Sequence, residues 1–287
     1  MHRAPLFTGA LLLAVSPLFG APARTIEDLE IALLPKPAFE RSGAAEKASP
    51  FSLVQVSARP NEITDDEAWF ERNGLELPVF EVPNPSMGQS GNLPAGIPPK
   101  YLGNLLVKAI HGSDSTLLLY GPDFTGGRFL IAMDSKTGAF KYGYDFANFA
   151  FPPGQKETED SLAEQRLQWA VEKGGVLYVS HAHPGYAKDS GGKNAYLTAL
   201  DVKDGKVLWR SHPLVSNAAT FAVLDAGIVS GYGFTAEPDF LYLIDRKDGA
   251  VLAKAKLKSG PAFILPKDGK LHVRCYDTDA VFEVRRK

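Results

Sequence analysis

The chain has 287 residues, which is enough for one large domain or two modest ones. Its 45% hydrophobic and 22% charged residues are ordinary for a globular protein and exclude a disordered or collagen-like chain. The 31 basic and 33 acidic residues give a net charge of −2, so the basic excess typical of nucleic-acid-binding proteins is missing. The single cysteine, Cys275, excludes an intramolecular disulfide and any metal site built from several cysteines.

Residues 1–23 have the three-part pattern of a secretory signal peptide. His2 and Arg3 give a positive start, residues 6–18 are mostly apolar, and residues 21–23 have small side chains at the cleavage positions. A buried helix or a membrane anchor is the alternative, but Pro17 interrupts a stretch shorter than the about 20 residues that span a bilayer. We therefore expect a secreted or periplasmic protein that is not integral to the membrane.

Residues 24–100 read as an extended segment rich in proline, alanine and glycine, which is typical of linkers and wrapping segments. Within it, residues 51–58 alternate apolar and polar side chains in the manner of a strand. Residues 75–82 alternate too, although Pro78 lacks the backbone donor that a central strand needs. Residues 65–71 predict a helical turn.

Residues 101–287 contain a repeated hairpin. Each copy has an apolar run ending in aspartate, three polar residues, a glycine and a second alternating run. The aspartate side chain accepts hydrogen bonds from backbone N–H groups ahead of it, and the glycine takes the positive φ that closes the turn. The three pairs are Asp134 and Gly138, Asp201 and Gly205, and Asp245 and Gly249.

A second hairpin precedes each of these turns, so the repeating unit has four strands, A to D. The second and third aspartates are 44 residues apart, which fits a propeller blade of about 40–50 residues. The first two are 67 residues apart, and the polar residues 151–166 account for the difference as a loop or short helix. The sequence predicts an all-β fold, a β-propeller of four-stranded blades with three complete blades, one partial blade and a total of four to six.

The partial blade ends before its D strand. Because an unpaired sheet edge promotes aggregation, we expect the N-terminal segment 24–100 to contribute a closing strand or a divergent blade. The predicted organisation is therefore a signal peptide at 1–23, this segment, and the repeats at 101–287.

One repeat carries a family resemblance. In residues 197–209, an apolar run followed by Leu-Asp-x-x-x-Gly-Lys-Val-Leu-Trp resembles the repeat of the pyrroloquinoline-quinone-like β-propeller superfamily. Trp209 stands at the family's characteristic position, where the other two repeats have Tyr142 and Ala253. The resemblance implies the propeller fold and similarity to non-catalytic members, some of which are envelope assembly scaffolds. Quinoprotein dehydrogenases of this superfamily use nearly twice as many blades and adjacent cysteines, which the lone Cys275 excludes, so no cofactor is expected.

The candidate binding residues lie in the B–C loops, which open on one face of a propeller together with the D–A connections. These loops are longer and more varied than the C–D turns, and function in a repeat fold generally lies in such loops. Merely solvated connections are the alternative. The chemistry-bearing side chains of the loops are Asp123, His181, His183, Tyr186, Tyr232, Glu237, Asp239, Tyr276 and Asp277.

His181 and His183 are the candidate metal ligands. Two residues apart on an extended segment, their rings are expected to point the same way. With a carboxylate such as Asp123 or Asp277 they match the preferences of zinc, iron or copper, but the sequence fixes no further ligand. The aspartate–glycine turns do not suit calcium, because Lys203 and Lys247 would repel a cation.

Two functions remain open at this point. The first is a binding or scaffold module that presents its B–C loop face to a protein, peptide or glycan, and the absence of any catalytic motif favours it. The alternative is a metal-dependent hydrolase, lactonase or lyase with its site in the mouth of the propeller, where His181 and His183 would hold the metal.

Overall fold

The computed structural model describes residues 26–41, 44–84, 96–155 and 163–287. The predicted signal peptide at residues 1–23 lies outside the described residues, as does the central part of the predicted insertion, residues 156–162. Within the described ranges no helix is long and apolar enough to cross a bilayer.

Strands make up about half of the described chain, and helices very little of it. The N-terminal elements are β1 (Ala32–Leu33), β2 (Phe51–Pro60), helix α1 (Asp66–Asn73), β3 (Val79–Glu81) and β4 (Lys100–Tyr101). The next strands are β5 (Asn104–His111), β6 (Ser115–Gly121), β7 (Phe129–Asp134), β8 (Phe140–Asp145), β9 (Arg166–Lys173), β10 (Val176–Ala182), β11 (Tyr196–Asp201) and β12 (Val207–Arg210). The last are β13 (Ala222–Leu224), β14 (Gly227–Phe234), β15 (Glu237–Ile244), β16 (Val251–Lys256), β17 (Pro261–Lys267), β18 (Lys270–Cys275) and β19 (Thr278–Arg286).

These strands form four antiparallel four-stranded units. The first unit is β5-β6-β7-β8, the second β9-β10-β11-β12, the third β13-β14-β15-β16 and the fourth β17-β18-β19-β2. Short flanking strands extend the first unit. Strands β3 and β4 pair with the edge of β5 that faces away from β6, and β1 pairs in parallel with β8. The predicted repeat of strands A to D is therefore the structural unit.

The aspartate–glycine turns join strands C and D of the first three units. At Gly138, Gly205 and Gly249, φ is 72°, 71° and 75°, in the left-handed region that favours glycine. Each glycine N–H donates to the carbonyl oxygen of its aspartate at 2.9 Å. The aspartate Oδ1 accepts from the N–H two residues ahead, at 3.0 Å in the first turn and 2.9 Å in the others.

Consecutive sheets pack on one another through shared apolar clusters. One cluster joins the first three sheets and includes Leu130, Leu197 and Ile244, all fully buried. A second joins the third and fourth sheets and includes Val229 and Phe282. The A strands β9, β13 and β17 also face one common cavity of about 450 Å³. The sheets thus pack one after another with their A strands towards a common centre, unlike the sheets of a sandwich or a single flat layer.

The N-terminal segment runs past the sheets in turn. Strand β1 pairs with β8 of the first sheet, and the Tyr196 hydroxyl of the second donates to the Glu40 carbonyl at 2.9 Å. In the third sheet Val251 N–H donates to the Ala45 carbonyl at 2.8 Å. Strand β2 then pairs along β19 and supplies the fourth strand of the fourth sheet, where the repeat itself lacks one.

Helix α1 packs on the fourth sheet. It begins at the N-cap Asp65, whose side chain accepts from Ala68 N–H at 2.8 Å, and it ends at Gly74 with φ of 56°. Trp69 is buried against the sheet, and Arg274 Nε donates to Asp66 at 2.6 Å. The chain continues into β3, which pairs with β5, so this segment connects the fourth sheet to the first.

Candidate functional site

A large cavity opens at the end of the molecule where the B–C loops of the sheets meet two of the D–A connections. Its volume is about 770 Å³, and we call it the mouth cavity. The first two sheets contribute Thr125, Gln168, Ala182, His183 and Pro184, and the third contributes Asn217, Gly233, Phe234, Thr235 and Asp239. The fourth sheet and the connection before it contribute Lys258, Ser259, Gly260, Pro261, Ala262, Tyr276 and Asp277.

Four of the candidate residues shape the loops around this cavity. Asp123 accepts from Thr125 N–H at 2.8 Å and from the Thr125 hydroxyl at 2.6 Å, which fixes the B–C turn of the first sheet. Glu237 accepts from Ala187 N–H at 2.8 Å and from the Tyr232 hydroxyl, so it joins the loops of the second and third sheets. Tyr186 packs edge-on against Phe234, with 4.7 Å between ring centroids, across the same junction.

His183 lines the mouth cavity but both of its ring nitrogens are engaged. Asn194 Oδ1 accepts from the backbone N–H of His183 at 2.9 Å. This bond turns the Asn194 amide nitrogen towards the ring nitrogen Nδ1 of His183, at 3.4 Å. The Asn194 amide nitrogen also donates to the His183 carbonyl at 3.2 Å, and Nε2 lies 2.8 Å from the Ser190 hydroxyl. Burial lowers the pKa of His183 to about 4, so the ring is neutral near pH 7.

The same network includes Ser190. Its hydroxyl lies 2.8 Å from His183 Nε2 and 3.3 Å from the Ala187 carbonyl oxygen. The contacts of Ser190 and Asn194 with His183 therefore stabilise the B–C loop of the second sheet.

His181 lies in the protein interior. Its ring stacks on Phe149 at 5.0 Å and contacts Phe146 at 5.1 Å, and no donor or acceptor among the described residues reaches either ring nitrogen. Burial and, to a smaller extent, the positive charge of Arg210 hold the pKa of His181 well below its usual range. A neighbouring cation also disfavours a metal ion at this ring.

The two histidines therefore have separate environments, and the expected shared metal site is not formed. Phe149 and Phe146 surround one ring, while Ser190 and Asn194 occupy both nitrogens of the other. Across the described ranges, no three histidine, cysteine, aspartate or glutamate side chains come together in a way that could hold a metal ion.

Asp239 and Asp277 are the carboxylates of the mouth cavity. Asp277 accepts from the Ser259 hydroxyl and from Thr278 Oγ1 at 2.7 Å, and these hydrogen bonds hold the pKa of Asp277 below its usual range. Asp239 is less well satisfied, because its Oδ1 is buried and has no donor among the described residues. Burial and then the charge of Asp277 raise the pKa of Asp239.

Part of the mouth was not among the candidate residues. Asn217 lies in the D–A connection between β12 and β13, and Lys258 to Gly260 lie in the one between β16 and β17. In a propeller the D–A connections open on the same face as the B–C loops, and this could have indicated these residues, but the connections contain no sequence motif. Tyr276 is at the rim with 88% of its surface exposed.

Cys275 lies beneath this rim and is not a nucleophile. Its side chain is buried, and burial, followed by the charges of three nearby aspartates, raises the pKa of the thiol to about 12. A thiol in that state is protonated near pH 7 and is unreactive.

No family model matches the chain, and no curated protein sequence is significantly similar to it. Solved structures do resemble it. BamB from Moraxella catarrhalis is 11% identical with a TM-score of 0.34, over 61% of this chain and 57% of that one. The computationally designed protein Ika4 is 14% identical with a TM-score of 0.35, over 61% of this chain and 87% of that one. A quinohemoprotein alcohol dehydrogenase from Pseudomonas putida HK5 is 11% identical with a TM-score of 0.35, over 60% of this chain and 37% of that one.

The chain thus matches little more than half of BamB and just over a third of the dehydrogenase. The architecture itself follows from the strand order, with four antiparallel sheets of four strands that pack through shared apolar clusters. The chain therefore has the all-β architecture of a β-propeller with four-stranded blades.

Proposed function

We propose that this chain is an exported β-propeller that binds a partner protein or peptide through the face where its B–C loops meet. The mouth cavity is the observation that carries the proposal, because all four sheets contribute to its wall. A cavity of about 770 Å³ with apolar walls and a few polar groups has the size and composition of a binding site. The fixed loops around it support a pre-formed surface.

Binding is favoured over catalysis by the state of the reactive side chains near the mouth. Cys275 is buried and protonated, and Ser190 and Asn194 contact the two ring nitrogens of His183. The metal-dependent alternative would require His183 to break two buried hydrogen bonds. No observation on the described residues favours it over binding.

Export to the periplasm or the medium is the second part of the proposal, and the pattern of residues 1–23 supports it. Expression of the full chain in a host with an outer membrane tests this directly. We expect protein recovered from outside the cytoplasm to begin at Arg24 by N-terminal sequencing. A chain that stays in the cytoplasm with Met1 retained would contradict export.

Site-specific photo-crosslinking in the source cells tests the binding face. A photoreactive amino acid replaces Tyr276 or Thr235 at the mouth, or Lys136 or Lys203 in the aspartate–glycine turns at the opposite face as matched controls. All four positions are solvent-accessible, so differences in exposure do not explain a difference in yield. We expect the mouth positions to give one common adduct, identified by mass spectrometry, and the turn positions to give none. Adducts from the turn positions only, or from no position, would contradict the proposal.

A further inference from the structure

The mouth cavity has an excess of negative charge. Its ionisable lining consists of Asp239, Asp277 and Lys258, with His183 neutral. The Lys258 ammonium lies 3.8 Å from Asp277 Oδ2, and both side chains are largely exposed, so this ion pair is weak. Asp123 and Glu237 stand in the adjoining loops, where Arg166 faces Asp123, so the excess of negative charge rests on the two carboxylates of the cavity itself.

Asp239 lies close to the backbone of Gly233 in the neighbouring strand β14. A Cβ atom placed on Gly233 would collide with Asp239 Oδ1. The glycine therefore permits an approach that leaves this oxygen buried without a donor among the described residues. Such a carboxylate gains from a positively charged donor that reaches its other oxygen.

The walls next to these carboxylates are apolar. Phe234, Pro261 and Ala262 line the cavity, and Tyr276 projects into solvent at the rim. A long side chain with an apolar stem and a cationic head suits this combination, because the stem covers apolar wall while the head stays at the carboxylates. An exposed tyrosine ring also attracts a cation to its face.

A bound metal ion fits the same site less well. Divalent calcium or magnesium takes six or more oxygen ligands, whereas no group of three acidic or other metal-ligating side chains exists among the described residues. A singly charged organic cation needs fewer fixed oxygens and tolerates the apolar walls.

We propose that the mouth cavity receives a lysine or arginine side chain from an extended segment of the partner protein, with the cationic head against Asp239 and Asp277. This inference rests on the proposed function and names the chemistry of its partner. Lys258 competes for Asp277 and gives way when the partner binds.

Titration with blocked peptides tests the charge preference. The probes are four peptides, acetyl-Gly-Ser-X-Ser-Gly-amide, with lysine, arginine, glutamate or norleucine at X, and binding to the purified protein is followed by amide chemical shifts. We expect the lysine and arginine peptides to shift the amides of Gly233, Gly260 and Tyr276, and increasing salt to weaken both. The glutamate and norleucine peptides are expected to leave these amides unchanged. Equal binding of the norleucine peptide would overturn the inference.

Substitutions of the acidic and basic side chains at the mouth should change the affinity for the lysine peptide in opposite directions. Asp239→Asn and Asp277→Asn should each weaken binding of the lysine peptide about tenfold, the usual worth of a charge-assisted hydrogen bond. Lys258→Gln should strengthen it, because it removes the competing cation. Asp248→Asn is the control, since this carboxylate pairs with Lys47 at 2.7 Å in a turn at the opposite face. An equal effect of Asp248→Asn, or weaker binding by Lys258→Gln, would count against the inference.

The crosslinking experiment separates failure of this inference from failure of the proposed function. If Tyr276 crosslinks a partner and the Asp239→Asn, Asp277→Asn double variant crosslinks it equally well, the binding face stands and the cationic occupant is wrong. If a free polyamine such as spermidine binds the mouth and no peptide does, the occupant is again wrong. If no mouth position crosslinks, both proposals fall. Amide spectra of each variant verify that it is folded.

Discussion

At the scale of single residues, burial determines the chemistry of the histidines. His181 and His183 are neighbours in the sequence, yet one is enclosed by aromatic rings and the other by hydroxyl and amide groups. Both residues are almost fully buried, which disfavours the charged form of the ring. The folded protein therefore keeps both histidines neutral at a pH where the unfolded chain takes up protons.

We expect the free energy of unfolding to fall as the pH is lowered from 7 to 5. The pKa values of both histidines lie below 6.5 in the folded state, so their stabilising effect is complete above that pH and is lost towards pH 4. Urea unfolding at several pH values measures this loss. His181→Leu removes one of the two groups and should make the free energy of unfolding fall less steeply between pH 7 and pH 5. An unchanged slope would contradict the assignment.

Cys275 is expected to resist thiol reagents in the folded protein. Its side chain is 3% exposed and its pKa is raised to about 12, so neither access nor thiolate formation favours reaction. Ellman's reagent should label no thiol in the native protein and one thiol per chain in 6 M guanidinium chloride, a concentration of the order that unfolds stable domains. Rapid labelling of the native protein would show that the rim above this residue opens.

At the scale of elements, two outer strands, β8 and β12, dock on the aspartate–glycine turn of the next sheet. Trp209 of β12 donates from Nε1 to the Arg246 carbonyl at 2.8 Å and covers Gly249 of the third sheet. Tyr144 of β8 covers Gly205 of the second sheet in the same way, with its hydroxyl donating to the Val202 carbonyl at 2.8 Å. Tyr142, two residues before it, is the register equivalent of Trp209 and reaches Glu172 of β9 at 2.7 Å.

Because of this docking, two glycines with nearly the same backbone conformation differ in the space available for a side chain. A Cβ atom at Gly205 would lie 2.5 Å from Tyr144 Cε1, whereas one at Gly138 would meet nothing within 4 Å, and φ is nearly the same at both. We expect Gly138→Ala to cost about 1–2 kcal/mol, from backbone strain. Gly205→Ala should cost about 1–3 kcal/mol more, because the Tyr144 ring must move. Urea unfolding of both variants measures the difference, and equal costs would contradict the docking.

At the scale of the whole molecule, the N-terminal segment holds the sheets together. It pairs with β8, accepts from Tyr196, pairs with Val251 and becomes the edge strand β2. Phe51 and Leu53 of β2 also pack on the apolar cluster between the third and fourth sheets. The segment therefore links elements that lie far apart in the repeat order.

Two truncations separate these roles. A chain that begins at residue 50 keeps β2 but loses the contacts to the first three sheets, including the buried Leu34. It should fold with a melting temperature lower by at least about 5 °C. A chain that begins at residue 62 also loses β2, exposes the edge of β19 and should aggregate or unfold without a cooperative transition. Calorimetry and size-exclusion chromatography measure both outcomes. A wild-type melting temperature for the chain that begins at residue 62 would contradict the role of the N-terminal segment in holding the sheets together.

Much of the architecture was accessible from local patterns. The alternating runs, the aspartate–glycine turns and the four-strand unit depend on side-chain alternation, φ preference and hydrogen bonds across a few residues. The helical turn predicted at residues 65–71 appears as α1 for the same reason, since Asp65 is a good N-cap. These features need no information from distant parts of the chain.

The mouth and its chemistry depend on contacts between residues that are distant in sequence. Asp239 and Asp277 come from different sheets, and the directions of the His181 and His183 rings depend on Phe149 and Asn194, which packing brings to them. Residues 51–58 alternate like many other strands, so their partner β19, over two hundred residues away, is selected by the unfilled sheet edge. Local propensity thus established strands and turns in this chain, while burial and long-range packing established which loops meet and which side chains stay ionised.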